Sequence, residues 1–183
     1  DVQVLTPTHR GPLGTVELNI ELQRLLQKKL FGFDVPDVEH GHRLRLYPGD
    51  KVIQTKNDYD LGVMNGAMGV VLDVGRNSGL TVDFDGRAVE IEAGSDAAGN
   101  VQLAYATSIH KVQGSEFPCA VVIAHKSHSF MHHRNLLYTA VTRAKESVIL
   151  LGDRWGIENC AAKRQVDRRN TFLSFLLNPE ARP

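Results

Sequence analysis

Residues 134–153, RNLLYTAVTRAKESVILLGD, change their period once, near Ser147. In the first part Leu136, Leu137, Ala140 and Val141 recur at helical spacing, which predicts a helix with one buried face. The second part, SVILLGD, is a short apolar run closed by a glycine, which predicts a strand. A similar run, CAVVIA, stands upstream at 119–124. Strand, helix and strand in this order predict an α/β fold with a parallel sheet. Further out, 154–178 reads as one or two helices with Ile157, Ala161, Phe172, Phe175 and Leu176 inward, and ATSIHKVQG at 106–114 reads as a helix stopped by a glycine. At the other end VQVLTP is a strand-like run ended by a proline, and HRGPLG is a turn. Thr15 is placed to cap a helix in which Leu18, Leu22, Leu25 and Leu26 form an apolar stripe.

Between these α/β segments the pattern differs. Residues 31–42 look like a linker, and from Arg43 to Tyr105 short β-type runs follow one another: RLRLY, KVIQT, AMGVVLDV, LTVDF, RAVEIE and VQLAY. The pair Asp85-Gly86 between LTVDF and RAVEIE is a tight hairpin signal. Close-spaced short strands predict a small antiparallel barrel. The expected organisation is an α/β domain of residues 1–31 and 104–183, interrupted by a β-rich insert at 43–103.

Lysine plus arginine equals aspartate plus glutamate, 21 each, so net charge favours no polyanionic partner. The distribution is uneven: residues 50–100 hold nine acidic and four basic side chains, whereas 101–145 hold five basic side chains, five histidines and the single acid Glu116. The second block is the one suited to face an anion. No apolar run approaches the roughly 18 residues of a membrane span. Two cysteines outside any CxxC pair, and no signal peptide, fit reduced thiols in a cytoplasmic protein. The absence of an initiating Met suggests an excised piece of a longer chain.

Three stretches carry the chemistry: TPTHRGPLGTVELN at 6–19, YATSIHKVQGSEF at 105–117 and NLLYTAVTRAKESVILLGD at 135–153. Arg143 lies at a helix end, and its permanently charged guanidinium forks toward phosphate; the plain alternative is a surface pair with Glu146. Arg10 follows the first strand in a Gly/Pro turn, a usual position for ligand contacts in parallel sheets, or else it decorates the turn. Gly114 permits close backbone approach, and Glu116 can accept a hydrogen bond from a ribose hydroxyl, unless the pair is a helix stop and a solvated acid. Thr107, Ser108, His110 and Lys111 are phosphate donors that read no sequence, although capping and core packing are alternatives for the first three.

In order, these stretches resemble motifs IV, V and VI of superfamily 1 helicases, closest to the RecD-like branch. GDKVIQTKNDYDLGVMNGAMG at 49–69 is similar to the start of the Src-homology-3-like barrel inserted there. The resemblance covers almost the whole chain. It implies a RecA-like parallel sheet domain with an inserted barrel, acting as the C-terminal motor half of an ATP-dependent DNA helicase, 5′→3′ in direction, in recombination or repair. It implies that Arg143 is an arginine finger, that Arg10 also reaches the phosphates, that Gly114 and Glu116 contact the nucleotide with Gln113 coupling the sites, and that Thr107, Ser108, His110 and Lys111 contact single-stranded DNA.

The sequence has no G-x-x-x-x-G-K-[ST] loop and no Asp-Glu pair after an apolar run. ATP and Mg2+ are therefore expected to be held mainly by an N-terminal RecA-like domain of the same chain, and this part alone should not hydrolyse ATP. His125, His128, His132 and His133 invite a metal reading, but their spacing is irregular, so no metal site is assigned. A surface loop, or one near DNA, is the expectation there. KRQVDRR at 163–169 reads as a solvated helix face. The rival reading is a stand-alone nucleic-acid-binding or protein-interaction module that kept the fold without motor activity.

Overall fold

The structure is a computed structural model that describes residues 2–36, 45–77 and 79–164. Two sheets organise it. The first is wholly parallel, in the order β7-β1-β8-β9, from β1 (Val2–Thr6), β7 (Ala106–Ser108), β8 (Phe117–Ala124) and β9 (Ala144–Gly152). The opening stretch forms the expected unit: α3 (Arg134–Val141) crosses between β8 and β9 and buries Leu136 and Ala140 against Ala120, Val122 and Leu5. Because every strand runs the same way, the sheet has one amino edge and one carboxyl edge.

The second sheet is antiparallel, in the order β5-β4-β3-β2-β6. Its strands are β2 (Lys51–Gln54), β3 (Met68–Val74), β4 (Leu80–Phe84), β5 (Arg87–Ile91) and β6 (Val101–Leu103). The edge strands β5 and β6 give Val89, Ile91 and Val101 to the same core as Val52, Val71 and Val82, so the sheet curls around one interior. Asp85 and Gly86 both have positive φ, 52° and 84°, the conformation a two-residue hairpin turn needs to follow strand twist. A five-residue helix, α2 (Asp96–Asn100), was not legible in the sequence; Ser95 caps it, accepting from Ala98 N.

Several expectations are corrected. ATSIHKVQG is no helix: Ala106–Ser108 is strand β7, paired in parallel with β1, and only turns follow. Pairing with β1 supplies the backbone partners that a helix would otherwise have made. Helix α1 (Thr15–Phe31) does not bury its leucine stripe. Leu18, Leu22 and Leu26 are half-buried and Leu25 is exposed, while the buried row is Thr15, Asn19, Gln23 and Gln27. Nor does Thr15 cap the helix; Gly14 holds that position and the Thr15 hydroxyl bonds His9 Nδ1 at 2.7 Å. In α4 (Arg154–Ala162) the buried residues are Gly156 and Cys160, whereas Ala161 is exposed. Phe172, Phe175, Leu176 and most of KRQVDRR lie outside the described residues.

The polar row on α1 has a structural reason. Asn19 donates to the Ala106 carbonyl and accepts from its N–H, both at 2.8 Å, gripping β7 as a neighbouring strand would. Gln23 and Gln27 both donate to the carboxylate of Asp50, which is fully buried at the start of the insert. Tyr47 N and the Tyr105 hydroxyl donate to the same carboxylate at 2.8 and 2.9 Å. Asp50 thus ties α1 to the residues where the chain enters the insert and to the residue where it leaves. Burial, with the Asp50 charge and hydrogen bond behind it, raises the Tyr105 phenol above the usual tyrosine range. Lys51 lies across the same seam, over the Phe117 ring at 5.6 Å, and its burial pushes its pKa down to about 8.

Candidate functional site

The segment Ile109–Ser115 runs from the carboxyl edge of β7 to the amino edge of β8. Ile109 and Val112 anchor it in the core, so the residues between them face outward. At its start are Ser108, half-exposed, and His110 and Lys111, exposed. Lys111 N donates to Ser108 Oγ at 3.3 Å. Thr107 is only 3 % exposed, and its hydroxyl accepts from Gln3 Nε2 at 3.2 Å, which fits a structural role for that side chain. At its end are Gln113, Gly114 and Glu116, all exposed, with Gly114 at φ +95° and open space where a Cβ would stand.

Arg143 meets that end. Its Nη1 donates to the Ser115 carbonyl at 3.0 Å and its Nε to the Thr139 carbonyl at 3.1 Å, while Phe117 N donates back to the Arg143 carbonyl at 2.8 Å. The guanidinium is therefore docked on the turn that carries Gly114 and Glu116, rather than paired with Glu146. Glu116 instead faces Lys145 at 3.6 Å, with both side chains more than half exposed, a pair that separates at little cost. Lys145 is a charge at this edge that sequence reasoning missed; its place two residues after Arg143 in the same stretch was the available signal.

Arg10 is elsewhere. It follows the carboxyl end of β1 and Arg143 precedes the amino end of β9; the eight residues of β8 between those edges span roughly 25 Å. The structure does not bring the two arginines together. Arg10 shares its edge with His9, Ser108 and Lys111, and the turn that carries it is held by Thr8 Oγ1 against His128 Nε2 at 3.2 Å.

Two family models match the chain: a UvrD-like helicase C-terminal domain over residues 103–151, and an ATP-dependent RecD-like DNA helicase SH3 domain over residues 18–84. The chain belongs to the RecD-like helicases. It is 43% identical to the ATP-dependent RecD2 DNA helicase of Deinococcus radiodurans over 94% of this chain and 23% of that protein. It is 36% identical to the RecBCD enzyme subunit RecD of Mycolicibacterium smegmatis over 97% of this chain and 29% of that one. The chain thus spans about a quarter of the length of these curated relatives. The fold matches Bacteroides Pif1 bound to ssDNA with a TM-score of 0.54 at 19% identity, over 82% of this chain and 40% of that one.

In this RecD-like chain the histidines do not form the surface loop expected of them. His128 and His132 are 4 % and 1 % exposed, and His132 Nδ1 lies 3.0 Å from Asn159 Nδ2. His133 caps α3, accepting from Leu136 N at 3.0 Å. Desolvation lowers the pKa of His128, and the neighbouring His132 and His125 add to it. Desolvation also lowers His132, outweighing the pull of the His125 carbonyl and Asp153. Both rings thus take up protons less readily in the fold than in the unfolded chain, where they do so near pH 6.5. Stability is complete above that value and falls as pH drops below it, because the unfolded state binds more protons. Thermal unfolding between pH 7.5 and 5 should show a falling midpoint, and His128→Gln with His132→Gln should flatten the slope. An unchanged slope would leave the histidines out of it. Among the described residues no helix is long and apolar enough to cross a membrane.

Proposed function

We propose that the chain is the second motor lobe of an ATP-dependent DNA helicase, with residues 1–31 and 104–183 forming the RecA-like lobe and 43–103 the inserted barrel. The observation that carries the reading is the division between the two edges of one parallel sheet. Arg143, Gly114, Glu116 and Lys145 gather at the amino edge; Ser108, Lys111, His9 and Arg10 gather at the carboxyl edge. One segment, Ile109–Ser115, joins them.

At the amino edge Arg143 provides the charge for a γ-phosphate, the open backbone at Gly114 admits the nucleotide, and Glu116 accepts from a ribose hydroxyl once Lys145 moves aside, with Gln113 between the edges. ATP supplies the phosphoryl bond whose cleavage drives the cycle. The phosphate loop and Mg2+ belong to a partner RecA-like domain of the same polypeptide, so this part alone hydrolyses no ATP. At the carboxyl edge Ser108, His110 and Lys111 hold the phosphates of a single strand. Arg10, assigned to ATP by resemblance, serves the DNA edge instead.

The test is ATP hydrolysis and strand separation by the complete natural polypeptide, with duplexes tailed at either end. Hydrolysis that requires single-stranded DNA, and unwinding from a 5′ tail only, are expected. Binding should weaken steeply with salt, since the contacts are to phosphate. Salt-sensitive binding without hydrolysis would instead identify a binding module.

A further inference from the structure

A cavity of about 630 Å³ opens where the first turn of α1, strand β7 and the insert's β6 meet, a size that suits a small organic ligand. Its apolar walls include Val16 from α1 and the buried Ile53 and Leu103 from the insert. Its polar residues include His9, Ser108 and Lys111, of which His9 and Lys111 are exposed and stand on the solvent side. Asn19, also at the wall, is spent on the Ala106 backbone, and His9 and Thr15 bond each other. Lys111 is different: no carboxylate stands within ion-pair distance of it among the described residues. An apolar slot beside a cation without a counter-charge has the chemistry of a nucleotide site, a base desolvated against the walls and a phosphate on the cation.

We propose that this cavity takes one base of the bound single strand, with the adjoining phosphate held by Lys111 and Ser108. The proposal rests on the single-strand reading of the carboxyl edge. Because the walls come from both the motor lobe and the insert, a base in the slot joins the two, and apolar walls make the site tolerant of sequence.

The test compares two oligonucleotides of equal length and charge, an oligothymidylate and its abasic counterpart, by anisotropy with the complete natural polypeptide. Wild type should prefer the thymidylate by about tenfold, the scale of one base contact. Gly99 lies on the cavity wall, and a Cβ there meets nothing within 4 Å, so Gly99→Phe can place its ring in the slot. Gly99→Phe, and independently Val16→Trp from the α1 side, should abolish the preference while leaving abasic affinity unchanged. Equal binding of both oligonucleotides by wild type, or a preference that survives both fillings, overturns the proposal and leaves the single-strand reading intact. Binding of neither overturns both.

Discussion

Replacing Arg143 by Ala in the complete natural polypeptide should lower DNA-stimulated ATP turnover about a thousandfold, the scale on which a charge across the cleft stabilises a transferring phosphoryl group. Affinity for single-stranded DNA should stay within severalfold. The two effects separate because Arg143 precedes β9 at the amino edge, whereas Ser108 and Lys111 follow β7 at the carboxyl edge. The fold should survive the change. Arg143 bonds the carbonyls of Ser115 and Thr139 in a half-buried position, where water can replace it at a cost of about 1 kcal/mol. Arg143→Lys keeps the charge but not the planar fork, and should recover only part of the rate. Steady-state turnover with saturating oligonucleotide, together with a binding titration, checks both halves. Wild-type turnover in Arg143→Ala would remove the finger from the mechanism.

The second large effect is on stability. Asp50→Ala leaves Gln23 Nε2, Gln27 Nε2, Tyr47 N and the Tyr105 hydroxyl without their shared acceptor, although both glutamines keep a backbone carbonyl, Arg45 and Pro48 respectively. Unmet buried donors cost on the order of 1–3 kcal/mol each, so a loss of roughly 3 kcal/mol or more is expected, or about 10 °C in midpoint for a chain of this size. Tyr105→Phe removes one donor together with its need for an acceptor and should cost about 1 kcal/mol. In the double variant the two losses should not add, because Tyr105→Phe also removes one of the donors that Asp50→Ala leaves unmet. Urea unfolding of the four proteins measures the cycle; strict additivity would show that the Tyr105–Asp50 contact contributes nothing.

What the sequence made legible follows from how local each signal is. The helix-to-strand change and the Asp85-Gly86 hairpin are written in neighbouring residues; the hairpin formed where expected, and the change came a few residues before Ser147, with the helix ending at Val141 and the strand beginning at Ala144. Strand β7 was misread as helix because its identity comes from β1 and from Asn19, about a hundred and 87 residues away. The leucines of α1 formed a convincing stripe, yet the helix buries the row of Thr15, Asn19, Gln23 and Gln27, since backbone carbonyls and Asp50 wait for those donors. No periodicity in α1 announces a carboxylate 23 residues further on. The motifs named candidate residues but not their grouping: Arg10 and Arg143 stand at opposite edges of the sheet, which only strand direction reveals. The histidines looked like a surface loop because their spacing is irregular, and His128 and His132 are buried in spite of it.

The proposed division of the sheet can be tested directly by photo-crosslinking the complete natural polypeptide, once with a photoreactive oligothymidylate and once with a photoreactive ATP analogue, and locating the adducts by peptide mass. The DNA adducts should fall in residues 8–16 and 108–111, and the nucleotide adducts in 113–116 and 143–145. Nucleotide adducts at the Arg10 turn, or DNA adducts around Arg143, would contradict the division of the sheet into a nucleotide edge and a DNA edge.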